Sequence, residues 1–103
     1  MERSPKKRVW TRAGREQAAY EASESFYTAT VHAPPHPHTV VGLAVGQPMP
    51  TVMEAVVSMQ EDARELEADG VLGLQVVNDT DGLHGQHRLF IAYGTAVRWG
   101  QPE

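Results

Sequence analysis

Residues 51–77 read TVMEAVVSMQEDARELEADGVLGLQVV, and this stretch decides the fold. Thr51 stands three positions before Glu54, which is the pattern of a helix N-cap with a capping box. Apolar side chains then recur every three or four residues, as on one face of an α-helix. They are Val52, Val56, Met59, Ala63 and Leu66. We predict an amphipathic helix that ends at a left-handed Gly70, followed by a strand over Val71–Val77.

Two further strands flank this helix and strand. Thr39–Val45 is rich in β-branched residues, and Gln86–Trp99 is a long run with apolar side chains on both faces. Asp81-Gly82 supplies turn chemistry between the last two strands. The sequence therefore predicts an α+β class with a β-α-β-β core, in which an antiparallel sheet packs on one helix.

The N-terminal part of the chain differs from the rest in charge. The first fifteen residues carry a formal charge of +5, and the remainder carries −9. We assign residues 1–25 to a basic N-terminal arm, with helix-forming composition over Thr11–Ser25, and residues 26–103 to the α+β domain, which Phe26–Val31 opens as a short edge strand. A solvated tail is the first interpretation of the arm and docking on a neighbouring subunit the second. Nucleic acid is an unfavourable partner because an acidic body repels phosphates.

Several functional classes lack their sequence signals. The chain has no cysteine, which excludes disulfides, thiolate metal sites and a cysteine nucleophile. It has no nucleophile elbow and no phosphate-binding glycine loop. No apolar stretch approaches the ~20 residues of a membrane span, and no signal sequence is visible. We expect a cytoplasmic protein that is not an enzyme and does not contact membranes, although a catalytic site built across subunits stays open.

Five histidines fall into two clusters. His32, His36 and His38 are the candidate metal ligands, because neutral imidazoles bind zinc, copper or nickel. Prolines stand before and between them, and their spacing matches no zinc motif. A solvated His-Pro loop is the preferred interpretation. The cofactor is left unknown, with a divalent transition metal as the candidate.

The apolar character of both sheet faces predicts self-association. One helix covers one face of a three-stranded sheet, so the other face would expose an apolar patch, which soluble monomers avoid. Small residues on the strands suit the close approach of another backbone. The predicted oligomer interface consists of Gly42, Ala92, Gly94 and Ala96.

Two segments resemble the YbjQ family. Residues 63–74, AREL-EADG-VLGL, are similar to its helix-to-strand junction, and residues 93–97, YGTAV, look like its terminal strand. The resemblance spans roughly residues 38–99 and implies a dodecin-like subunit that closes into a ring, usually a pentamer. The family is labelled heavy-metal-binding. Glu67 stands where the family favours Gly, and Gly70 where it favours Ala.

Three functional hypotheses follow. The first is a ring-forming homo-oligomeric binding module of the YbjQ type for a metal or small ligand. The alternative is a structural or assembly subunit whose N-terminal arm contacts a neighbour or a partner protein. A dodecin-like flavin binder, with Trp99 or Tyr93 stacking on the ring, is the third and rests on fold analogy alone.

Overall fold

A computed structural model describes residues 11–31, 37–80 and 88–100, and within them the chain forms two helices and one mixed sheet. The sheet order is β1-β3-β4-β2. Strands β2 and β3 both run antiparallel to β4, so they are parallel to each other and α2 is the crossover between them. In chain order the elements are α1 (Arg12–Ser23), β1 (Tyr27–Thr28), β2 (His38–Val45), α2 (Val52–Glu65), β3 (Gly70–Thr80) and β4 (Arg88–Trp99).

This architecture confirms the predicted α+β class and the β-α-β-β core. One feature of the sheet differs from the antiparallel prediction, because β1 joins the edge of β3 in parallel. No helix among the described residues is long and apolar enough to span a bilayer. The predicted turn at Asp81-Gly82 lies outside the described residues.

Helix α2 begins where its sequence signal places it. The Thr51 hydroxyl oxygen accepts a hydrogen bond from the Glu54 backbone N–H at 3.2 Å and donates one to Glu54 Oε1 at 2.8 Å. Thr51 itself is fully buried. Val56, Met59 and Ala63 of the predicted stripe are buried against the sheet, so the helix is held at its cap and along one face.

The predicted end of α2 is wrong in detail. The helix ends at Glu65, and the left-handed residue is Glu67, with φ 62°, rather than Gly70. Gly70 instead opens β3, where it pairs with Tyr27 on one side and Val97 on the other. The chain therefore reverses direction three residues earlier than the glycine suggests.

A bulge in β3 changes which side chains face the helix. Gly73 adopts φ 66°, and the pairing with β4 shifts between Leu72 and Gln75. An extra residue at this point exchanges the two faces of the strand. Val71 faces α2 before the bulge, whereas Leu74 and Val76 pack towards the core after it.

The N-terminal elements dock on α2 through side chains of that helix. The Arg15 guanidinium lies 3.5 Å from the Glu54 carboxylate. Arg64 donates a hydrogen bond to the Ser25 hydroxyl at 2.8 Å, and its guanidinium stacks 4.9 Å from the centre of the Phe26 ring. Residues 11–28 thus pack on the same helix that covers the sheet.

Candidate functional site

The sheet face opposite α2 carries exposed apolar side chains on β2 and β3. We call it the open sheet face. Val40 and Leu43 are 61% and 62% exposed, and Val45 and Val77 are also exposed. By strand register, half-buried side chains of β4 lie between them. The open sheet face comprises Val40, Leu43, Val45, Val77, Ile91, Tyr93 and Thr95.

The exposed apolar surface is concentrated on β2. Leu72 and Val97 lie on the same face by register, but both are buried. Leu43 pairs with Thr95, and Val45 with Tyr93, so the β2 side chains stand beside uncharged neighbours. The open sheet face therefore offers apolar area without a charged member, next to the exposed Gln75, which pairs with Tyr93 on the same side of the sheet.

The edge of β2 is partly capped by α2. The Val45 backbone N–H donates to Asp62 Oδ2 at 2.9 Å, and the Gln47 N–H donates to the Ser58 hydroxyl at 2.8 Å. Side chains that occupy edge donors block the addition of another strand at that point. A partner at this end of β2 would accordingly meet the face of the strand and not its edge.

The small residues predicted as an oligomer interface lie on the opposite face. Ala92 and Ala96 are fully buried and belong to the core with Met59 and Ala63 of α2. Gly94 is buried between them, and Gly42 pairs with Ala96 on the same side. At Gly94 the backbone that approaches is that of β3, because an added Cβ would lie 3.0 Å from the Leu72 carbonyl oxygen. The interface prediction therefore named residues that the chain covers itself.

The close approach of α2 is visible at one glycine. A Cβ added to Gly46 would lie 2.6 Å from the Met59 backbone nitrogen and 3.0 Å from the Ala55 carbonyl oxygen. Atoms at these distances overlap, so only glycine fits between β2 and α2 here. Small residues at the sheet thus serve packing within the chain.

His38 is the one predicted metal ligand that the structure describes. It is the first residue of β2, is half-buried and pairs with Trp99. The Trp99 and Tyr27 rings form an edge-to-face contact with 5.2 Å between their centroids. His32 and His36 lie outside the described residues. Across residues 11–31, 37–80 and 88–100, no three His, Cys, Asp or Glu side chains come together in a way that could hold a metal ion. The described residues alone do not form a metal site.

Comparison with known proteins confirms the family. Residues 50–100 match the model of the YbjQ family, described as "Putative heavy-metal-binding". This chain carries a YbjQ domain. The match covers α2, β3 and β4, the elements that contain the junction and the terminal strand on which the resemblance was based.

A solved structure supports the fold assignment. The chain is similar to a protein of unknown function from Pediococcus pentosaceus ATCC 25745 that belongs to the DUF74 family. The two share 16% sequence identity with a TM-score of 0.57, over 74% of this chain and 99% of the other. Among curated proteins, none matches the chain. The likeness to the solved structure is one of fold.

The sequence predicted an exposed apolar sheet face but not which residues of β2 form it. Alternation of apolar residues along the last strand showed that both faces are apolar, and this led to the expectation of a patch. The residues exposed most strongly lie on β2, where pairing with β4 shifts between Val40 and Gly42. Because a shift changes the phase of the alternation, the pattern alone does not tell which β2 side chains face away from α2.

Proposed function

We propose that this YbjQ domain functions as a homo-oligomeric binding module whose copies associate through the open sheet face. The supporting observation is the exposure of Val40, Leu43 and Val45 on a sheet whose other face is already packed on α2. Contiguous apolar surface of this kind marks an interaction site in soluble proteins.

The charge distribution favours a second copy as the occupant. Residues 16–103 carry a formal charge of −9, so two copies repel each other through most of their surfaces. The open sheet face has no charged member, and contact there removes apolar area from water while keeping the acidic surfaces apart. Following the family resemblance, we propose a ring of five subunits.

Native mass spectrometry of the full chain tests this proposal. We expect a single closed oligomer at micromolar concentration, with five subunits as the specific expectation. The same spectrum reports any metal or cofactor that the protein retains. A monomer in both native mass spectrometry and sedimentation velocity would overturn the proposal.

A second candidate is an assembly role for the N-terminal arm. Arg15, Ser25 and Phe26 already contact α2 of the same chain, so the part of the arm from Thr11 onward packs as part of the domain. We propose that residues 1–10, which hold four of the six basic residues of the arm, are the segment available to a neighbour or partner protein. Deletion of residues 1–10 should leave the thermal midpoint unchanged. A large drop in midpoint together with loss of the oligomer would instead favour the arm as an intersubunit latch.

Metal binding is the third proposal, and the family description motivates it. His38 sits at the start of β2, and His32 and His36 precede it by six and two positions. Without cysteine, such a site would depend on imidazole ligands. We expect weak binding of zinc, copper or nickel. Calorimetry on the unmodified chain and on a His36→Ala, His38→Ala double variant decides the point, because submicromolar binding that the variant loses would establish a dedicated site.

The remaining proposals concern activity and location. We propose a binding function without catalysis, and a cytoplasmic location without nucleic-acid or membrane partners. The absence of cysteine and the acidic charge of residues 16–103 support these two assignments. Localisation of a tagged chain in intact cells is the direct measurement.

A further inference from the structure

A cleft of about 460 Å³ lies between α2, β1 and β3. Its walls are mostly apolar and include two aromatic side chains near β1. The residues that form most of this wall are Phe26, Tyr27, Met53, Val56, Leu74 and Val76. The volume is within the range of pockets that bind small organic molecules.

Gln60 reaches the same cleft from α2 and is 1% exposed. Its Nε2 donates to the Thr28 hydroxyl at 2.8 Å, to the Ser23 carbonyl oxygen at 3.2 Å and to the Phe26 carbonyl oxygen at 3.4 Å. Three acceptors around one nitrogen fix the orientation of the amide. The carbonyl oxygen consequently cannot exchange places with the nitrogen.

The Gln60 carbonyl oxygen has no hydrogen-bond partner among the described residues, and it is buried. Native proteins rarely leave a buried acceptor without a donor, because the group has lost water and gained nothing in return. Met53, Val56 and Gln60 follow one another at helical spacing along α2, so Gln60 continues the apolar row that lines this cleft.

We propose that the cleft binds an uncharged molecule with an apolar, aromatic body and one O–H or N–H group that donates to Gln60 Oε1. Phe26 and Tyr27 offer ring faces or edges to an aromatic body. Glu24 is the one charged side chain among the described lining residues, so an anionic ligand is disfavoured. This inference is independent of self-association and of metal binding, since the cleft lies on the α2 side of the sheet.

Binding requires a small adjustment of the cleft wall. Gln60 Oε1 has almost no exposed surface, so a ligand reaches it when a neighbouring side chain changes rotamer. Met53 lines the cleft as a half-buried, unbranched side chain, and methionine adapts readily to a bound group.

A matched pair of probes tests the donor requirement. 2-Naphthol and 2-methoxynaphthalene have the same aromatic body, but only the first carries an O–H donor. NMR titration of the full chain should give a dissociation constant for 2-naphthol about tenfold lower than that for 2-methoxynaphthalene. This ratio corresponds to the free energy of one hydrogen bond to an otherwise unpaired acceptor. The signals that shift should include the Gln60 side-chain amide and the backbone amides of Phe26 and Thr28.

Two valine substitutions on α2 locate the binding site. Val52 lines this cleft, whereas Val57 lines a separate cleft between α1 and α2. Val52→Phe should abolish binding of both probes, and Val57→Phe should leave both affinities unchanged. Equal affinities for the two probes, no binding, or shifts confined to the open sheet face would overturn the proposal. If Val52→Phe fails to fold, the comparison of the two probes on the unmodified chain decides alone.

Discussion

The side chain of Arg98 donates a hydrogen bond from Nε to the backbone carbonyl oxygen of Glu67, at 2.8 Å. A second donor of the same guanidinium reaches the Leu66 carbonyl oxygen at 3.3 Å, so Arg98 pairs with carbonyls that the end of α2 leaves unsatisfied. Glu67 has φ 62°, a left-handed conformation that L-residues adopt at a cost. Arg98 of β4 thus holds Glu67 in its strained conformation through hydrogen bonds to the backbone.

We predict that Glu67→Gly raises the free energy of unfolding by roughly 0.5–1 kcal/mol. Glycine removes the left-handed penalty of about 1–2 kcal/mol, and the larger entropy of its unfolded chain offsets part of that gain. The Glu67–Arg98 ion pair, at 3.6 Å, is lost, but it is exposed and contributes little. Urea unfolding at matched protein concentration measures the change.

Glu67→Ala is the control for this prediction. Alanine removes the same carboxylate but keeps a Cβ in the left-handed conformation, so we expect a neutral or slightly destabilised protein. The Arg98 hydrogen bonds to backbone carbonyls remain available in both variants. Equal stability of the Gly and Ala variants would show that backbone strain at residue 67 does not limit stability.

The contrast between α2 and its end shows what the sequence could predict. The capping pair Thr51 and Glu54 and the apolar stripe are local signals. The structure confirms the cap and buries Val56, Met59 and Ala63 of the stripe, whereas Val52 is exposed. The left-handed residue was assigned to Gly70 because glycine favours that conformation. Tertiary contacts decide otherwise, since Arg98 holds Glu67 and the Asp69 N–H donates to Val97 of β4 at 2.7 Å. Contacts of this kind join residues about thirty positions apart and leave no local pattern.

In the candidate site, too, local patterns were predictable from the sequence and long-range contacts were not. Apolar residues on both faces of the last strand predicted an unpaired sheet face, and the structure places one there. Which residues form it depends on shifts in strand pairing near Gly42 and Gly73. Small side chains permit close approach and therefore predicted an interface, yet this chain itself covers them: β3 at Gly94, and the core beneath α2 at Ala92 and Ala96. Sequence alone does not tell the approach of another segment of the same chain from the approach of another subunit.

Gly46 provides a sharp test of the contact between β2 and α2. We predict that Gly46→Ala destabilises the fold by about 1–3 kcal/mol, because the added methyl group overlaps with the backbone of α2 at Met59. Gly42→Ala is the matched control, since a Cβ there would meet only Leu66 Cδ1, at 4.0 Å. Thermal unfolding of the two variants gives the comparison. A similar loss in both would mean that strand flexibility, and not the close approach, explains the glycine at position 46.

Gln60 is predicted to hold the N-terminal elements on α2. Gln60→Met keeps the length of the side chain but removes the donor to Ser23, Phe26 and Thr28. We expect a loss of about 1–3 kcal/mol because these partly buried acceptors lose their donor. Gln17→Met makes the same chemical change on the exposed side of α1 and should stay within about 0.5 kcal/mol of the unmodified chain. Hydrogen exchange localises the effect, with faster exchange expected at residues 26–29. An unchanged exchange pattern would contradict this assignment.

The last prediction separates the two faces of the sheet. Leu43→Glu places a charge on the open sheet face, where the side chain is 62% exposed in the single chain, so the subunit should fold and the oligomer should dissociate. Ala92→Glu makes a similar change in the core beneath α2, where the residue is fully buried, and should unfold the subunit.

Circular dichroism reports folding and sedimentation velocity reports assembly. Val57→Glu, on the half-buried side of α2 near α1, serves as a control that should leave assembly unchanged. An intact oligomer in Leu43→Glu would show that the open sheet face does not join the copies, whatever the behaviour of Ala92→Glu.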